Sequence, residues 1–140
     1  MVANGTGTVQ VTWRGGDRFD ITARTHTVGT DQPLDGGGTD TAPTPVELFV
    51  GSLAACVAFY AERYLKRRRL PAGVAVTARY EMGVRPARVA RVELTVEAHG
   101  LPEELRDSFT SVIRHCTVHN TLHMPPQVDI EVRTAVPAPA

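Results

Sequence analysis

The residues of this 140-residue chain with the most chemistry to offer are its two cysteines, Cys56 and Cys116. Sixty residues separate them, which is neither a zinc-ligand spacing nor a Cys-x-x-Cys motif. Cys56 lies about three turns inside a long apolar helix, at about 1.5 Å rise per residue. Cys116 closes a second helical stripe formed by Leu105, Phe109, Val112 and Ile113. If the two apolar faces pack together, the sulfurs come within bonding reach. Peroxide reduction needs that arrangement: a thiolate attacks the O–O bond and becomes a sulfenic acid, and a second thiol condenses with it before over-oxidation. Packing alone also accounts for either cysteine taken singly, because free cysteine is among the most buried residue types.

The attacking sulfur must be a thiolate. Cys56 is too deep in its helix to be helped by the macrodipole, which fades within the first turn. A cation therefore has to come from elsewhere. Arg14, Arg18 and Arg24 on the N-terminal strands are candidates, and so is Arg63, two turns on along the helix of Cys56. A guanidinium would hold the thiolate and then the developing alkoxide. Glu47 has a sufficient structural role as the N3 residue of a capping box, and could also orient such an arginine.

A rival chemistry comes from His115, His119 and His123, which recur every fourth residue beside Cys116. On a continuous helix they would share one face, as metal ligands can. Thr117, Val118 and Thr121 are poor helix formers, however, and Pro125 is close; solvated or core histidines are the commoner case. No nucleophile elbow surrounds either cysteine. Gly36-Gly37-Gly38 lacks the lysine and hydroxyl of a phosphate-binding loop.

Composition bounds these readings. Fifteen Lys and Arg balance fifteen Asp and Glu, which argues against a dedicated nucleic-acid binder. The one dense basic run, Lys66 to Arg69, sits at a predicted helix end, where cations suit the dipole. No apolar run approaches a membrane span, and the polar start, Met1 to Gly7, lacks the apolar stretch of a signal peptide. A cytoplasmic protein with reduced thiols is expected, with no membrane partner. The length suits a single domain over 1–140, with Met1 to Asn4 and Val136 to Ala140 frayed.

The elements that must position the cysteines follow an α+β order. Val9, Val11 and Trp13, then Phe19, Ile21 and Ala23, alternate with polar residues around Gly15-Gly16-Asp17, predicting a hairpin. A looser segment runs from His26 to Pro33, and Asp35 to Asp40 reads as a flexible loop. Thr44, Pro45 and Glu47 start a helix from about Pro45 to Arg69, apolar on nearly all sides. Strands are predicted over Val74 to Met82 and Val92 to Ala98, and a second helix from near Pro102. A short irregular or helical piece then leads to Pro125-Pro126. Val128, Ile130 and Val132 form a last strand.

Two segments carry a family resemblance. Thr44-Pro45-Val46-Glu47-Leu48-Phe49-Val50-Gly51-Ser52-Leu53-Ala54-Ala55-Cys56 resembles the first cysteine motif of the OsmC/Ohr family, the osmotically inducible and organic hydroperoxide resistance proteins. His115-Cys116-Thr117-Val118-His119-Asn120-Thr121-Leu122 resembles the second, and Asp31-Gln32-Pro33 with the Gly36 to Asp40 loop also fits. The resemblance implies an α+β fold of antiparallel sheets, with a long central helix and a second cysteine-bearing helix. It implies an intertwined homodimer with active sites at the subunit interface. It further implies reduction of organic hydroperoxides, and to a lesser degree hydrogen peroxide, by a dithiol that is often lipoyl-linked, with no metal or flavin. By the same resemblance Cys56 is peroxidatic, Cys116 resolving and Arg18 the activating arginine, with Arg14 the second match.

One position departs from that pattern. The Ohr branch has a carboxylate directly after the motif proline; here that residue is Val46, and Glu47 follows one place later, about 100° further round the helix. The chain therefore resembles an OsmC-like outgroup, and two further readings stay open. One is a non-catalytic dimer that binds a small apolar ligand. The other is a metal-binding protein using Cys116 with His115, His119 or His123.

Overall fold

The computed structural model describes residues 5–135; both segments expected to fray, Met1 to Asn4 and Val136 to Ala140, lie outside them. The first alternating segments form β1 (Val9–Gly15) and β2 (Arg18–Ala23), antiparallel, with Val11 opposite Ile21 and Trp13 opposite Phe19. The segment expected to be loose is a third strand, β3 (His26–Thr30), which pairs with β2 and sets Val28 opposite Ile21. Its single apolar alternation was too weak to register as a period; the free edge of β2 supplies the order. Val9, Val11, Trp13, Phe19 and Val28 all stay exposed, Trp13 at 65 %. Among the described residues no helix packs extensively on this sheet.

The loop after β3 is built around Asp31. This carboxylate is buried and accepts from the Gln32 N–H (2.7 Å), the Thr39 hydroxyl (2.8 Å) and both the N–H (3.0 Å) and hydroxyl (2.7 Å) of Thr41. Burial by itself would raise the pKa of Asp31, but these hydrogen bonds outweigh it and hold the group well below the usual carboxylate range. Gly38 lies so close to the Gln32 carbonyl and the Asp31 carboxylate that no side chain fits there. The glycine run is therefore a folded turn rather than a flexible loop, and it delivers the chain to the next helix in a fixed direction.

That helix, α1 (Pro45–Arg67), begins with the expected capping box: Thr44 Oγ1 accepts from the Glu47 N–H (3.1 Å), and Glu47 Oε1 accepts from the Thr44 N–H (2.8 Å). By length and composition it could cross a bilayer, contrary to the expectation of no such run. Here Val50, Leu53, Cys56, Val57, Ala61, Tyr64 and Leu65 form its buried stripe. Phe49, Ala55 and Phe59 lie exposed, so the helix is not enclosed on all sides within one chain.

The helix packs on a hairpin of β4 (Ala75–Gly83) and β5 (Arg88–Glu97). Val76 faces Val96, Ala78 faces Leu94 and Tyr80 faces Val92 on its inner side. Its outer side carries exposed ion pairs such as Arg91–Glu93 (2.7 Å), which contribute little to stability. The predicted second helix divides in two. A short 3-10 turn (Glu103–Leu105) leads into α2 (Arg106–Ile113), and α3 (Thr117–His123) follows a break. The last expected strand does not form: Val128, Ile130 and Val132 are 74–85 % exposed. Their alternation is real, but among the described residues they pair with no strand.

Linkage fixes the pH behaviour of the Asp31 loop. A depressed folded pKa contributes stability above the unfolded aspartate value, about 3.9, and loses it as pH falls below that. Asp31→Asn is expected to lower Tm at pH 7, and the gap from wild type is expected to close as pH drops from about 4 toward 2. Thermal unfolding followed by circular dichroism across that range checks this. A gap that does not change with pH would mean that the charge of Asp31 contributes nothing.

Candidate functional site

The capping box sets where α1 begins, and hence the face on which Cys56 emerges. Leu53, Cys56 and Val57 point the same way and meet Cys116 in one buried cluster. Val76, Val92, Leu94, Val96, Ile113 and Val118 pack around it. Cys116 reaches the cluster by a route the helical stripe did not anticipate. Helix α2 stops at Ile113, and Cys116 takes extended backbone (φ −68°, ψ 154°) as the N-cap of α3. Its sulfur accepts the His119 N–H at 3.4 Å, the role a serine or aspartate oxygen usually plays. The poor helix formers after Cys116 thus mark a new helix start.

Both cysteines are free thiols. They lie in the same buried cluster, and the neighbouring Cys56 favours the protonated form of Cys116. Burial, first, and the neighbouring Cys56 push the Cys116 pKa up, against the opposing pull of the His119 N–H. Cys116 is therefore held as a thiol at neutral pH. Beside the sulfurs, Tyr60 of α1 and Thr117 of α3 share a hydroxyl–hydroxyl hydrogen bond of 3.0 Å. Tyr60 is one turn on from Cys56, and Thr117 adjoins Cys116. This pin between the two cysteine-bearing elements was missed at the sequence level, because nothing in either residue's spacing marks it.

The arginines stand elsewhere in the chain. Arg18 of β2 donates to the Arg14 carbonyl (3.2 Å), and Arg14 Nε pairs with Asp20 (3.0 Å). Both line a hollow of about 660 Å³ on the N-terminal sheet, with Trp13 and Phe19. Arg63 faces Arg67, Arg68 and Tyr60 near the far end of α1. One chain thus brings Cys56 and Cys116 together and leaves Arg18 apart from them. Glu47 stays in its capping box, and among the described residues no arginine pairs with it.

A second cavity, of about 640 Å³, opens beside the cluster between α1, β5, α2 and α3. Phe49, Leu53 and Val57 form one apolar wall, and Arg114, His119 and His123 stand at its polar side. The three histidines do not converge: His115 Nδ1 contacts the Ser111 carbonyl (2.7 Å), whereas His119 and His123 approach each other. Among the described residues no group of three His, Cys, Asp or Glu side chains could jointly hold a metal.

Comparisons with known proteins agree with this architecture. No curated protein matches the chain. Solved structures do. A protein from Psychrobacter arcticus assigned to osmotic stress and detoxification response aligns over 86 % of this chain and 91 % of its own, at TM-score 0.76 and 23 % identity. An organic hydroperoxide resistance protein from Legionella pneumophila aligns over 85 % and 91 %, at 0.65 and 18 %. Another from Elizabethkingia anophelis aligns over 86 % and 91 %, at 0.65 and 20 %. At such identities the likeness is one of fold. The sequence itself matches the family model for OsmC-like proteins over residues 37–131, a span that holds both cysteines, and the chain belongs to that family.

Proposed function

We propose that this protein is a thiol-dependent peroxidase that reduces organic hydroperoxides, and hydrogen peroxide less readily, through Cys56 and Cys116. The observation that carries this reading is the contact between two free thiols in one buried cluster. The fold it shares with organic hydroperoxide resistance proteins supports the same reaction class. In the first step the Cys56 thiolate attacks the hydroperoxide; an S–O bond forms, the O–O bond breaks, and the alcohol leaves after taking a proton. The Cys116 sulfur then attacks the sulfenic sulfur, an S–S bond forms and water leaves. An external dithiol, such as a lipoyl group, reduces the disulfide by two exchanges and is itself oxidised to a disulfide. The electrons balance without flavin or metal. A reducing compartment such as the cytoplasm suits the resting thiols.

The cation for Cys56 comes, in this proposal, from a second copy of the chain. The exposed apolar face of the N-terminal sheet, the exposed Phe49 and Phe59 of α1, and the unpaired Val128 to Val132 segment all call for cover. A homodimer that laid the partner's N-terminal sheet over α1 would bring an arginine, Arg18 first and Arg14 second, toward the cysteines. A second reading, a non-catalytic dimer binding a small apolar ligand, draws on the 640 Å³ cavity, which is in the range of small-molecule sites. The commitment of Glu47 to its capping box also favours it, since Glu47 is then not available to orient the arginine.

Three measurements test these statements. With cumene hydroperoxide and a dithiol, wild type is expected to turn over, and Cys56→Ser to lose at least about a thousandfold in rate. Cys116→Ser should stop at the Cys56 sulfenic acid after one hydroperoxide, and a second hydroperoxide should carry it on to the sulfinic acid, seen by mass spectrometry as two added oxygens. Undiminished turnover by Cys56→Ser would leave the ligand-binding reading in possession. Light scattering is expected to give twice the 15.1 kDa chain mass, and Trp13→Arg to shift the protein toward monomer. Finally, Tyr60→Phe and Thr117→Val are expected to raise the sulfinic fraction per turnover several-fold, while Thr117→Ser keeps it low. Equal over-oxidation in all four proteins would show that the hydroxyl pair does not position the thiols.

A further inference from the structure

The side chains of His119 and His123 form an arrangement that the thiol chemistry does not use. Their Nε2 atoms are 2.9 Å apart, and the rings are tilted by 56° with centroids 4.5 Å apart. The Nδ1 of His119 lies 2.7 Å from the Arg114 carbonyl. A carbonyl oxygen only accepts, so this nitrogen carries the proton and His119 Nε2 presents a lone pair. The hydrogen between the rings therefore belongs to His123 Nε2. His123 is exposed, and its other tautomer, protonated at Nδ1, would present a second lone pair at no cost in charge.

We infer that His119 and His123 form a bidentate, exchangeable site for a divalent transition-metal ion with right-angle coordination, Ni²⁺ or Cu²⁺. Two nitrogens each about 2.0–2.1 Å from one ion and at right angles to each other are about 2.9 Å apart, whereas a tetrahedral angle needs about 3.3 Å. In the metal-free chain a hydrogen bond holds the two nitrogens 2.9 Å apart, so an ion that displaces the hydrogen needs little movement of the rings to reach the first spacing. The spacing of four residues on α3 keeps both rings on one face through the helix geometry itself. The Arg114 carbonyl supplies the outer hydrogen bond that orients metal-bound histidines generally. His115 is turned to the Ser111 carbonyl, so water completes the coordination. With two protein ligands, and with Arg114 lining the same hollow, binding is reversible rather than that of a resident cofactor.

Calorimetric titration of the full-length protein with NiCl₂ tests this directly. Wild type, Cys56→Ser and His115→Gln are expected to bind one ion per chain with equal affinity. His119→Gln and His123→Gln should each weaken binding by at least about tenfold. Because His119→Gln also breaks the contact with Arg114, His123→Gln is the decisive variant. An independent readout on wild type is the imidazole NMR spectrum with substoichiometric Cu²⁺, in which the His119 and His123 resonances should broaden first. Unweakened Ni²⁺ binding by His123→Gln, loss of binding in Cys56→Ser, or absence of saturable binding would each overturn the proposal.

Discussion

The meeting of α1 with the start of α3 is the constraint on which the rest of the site depends. Cys56 lies mid-helix, where its backbone is fully engaged and its sulfur can move only by rotation of one side-chain bond. Cys116 sits at a helix start, where its sulfur carries part of the local hydrogen bonding. The two therefore differ in freedom. A shift of the Cys116 sulfur toward Cys56 gives up one N-cap hydrogen bond of a seven-residue helix, a loss of about 1 kcal/mol or less, whereas moving Cys56 would disturb the packing of the whole core helix. The asymmetry suits one fixed and one adjustable sulfur.

The hairpin β4–β5 gives that meeting its floor. Val76, Val92, Leu94 and Val96 come from two strands in register, so the surface beneath the sulfurs is apolar. A second cluster of Ala61, Tyr64, Leu65 and Phe109 continues the same interface along α1 and ties down α2. There Tyr64 is held edge-on to Phe109 at 5.3 Å, and its hydroxyl donates to Ser108 (2.9 Å). Polar and apolar contacts thus fix α2, and through the short break after Ile113 they limit where Cys116 can lie.

Much of this was legible in the residues. Thr44, Pro45 and Glu47 announced the start of α1 because a capping box is a local device, satisfied by neighbours in sequence. The two hairpins were legible by their period of two. Three features were not. The strand β3 has little apolar alternation and owes its order to pairing with β2. The break before Cys116 replaces a continuous stripe with a cap, since Leu105, Phe109 and Ile113 keep the helical period that Cys116 only happens to extend. Asp31 fitted the family resemblance, but nothing in its spacing showed that its carboxylate organises the turn, because its partners Thr39 and Thr41 are gathered only once the chain has folded back. The proximity of Cys56 and Cys116 was an inference from two apolar faces; the separation of Arg18 from them was not foreseeable from the strand pattern.

That separation carries its own argument. Among the described residues no helix packs extensively on the three-stranded sheet, and Trp13, Phe19 and three valines stay exposed on it, the kind of apolar patch that marks an interaction surface. The same holds for a C-terminal segment that keeps a strand's alternation and lacks a strand's partner. Sequences keep such surfaces when something else covers them. Under the proposed function the cover and the missing cation share one origin, since the sheet with the unburied aromatic residues is also the sheet with Arg14 and Arg18. Folding of the pair of chains and completion of the reactive site would then be a single event.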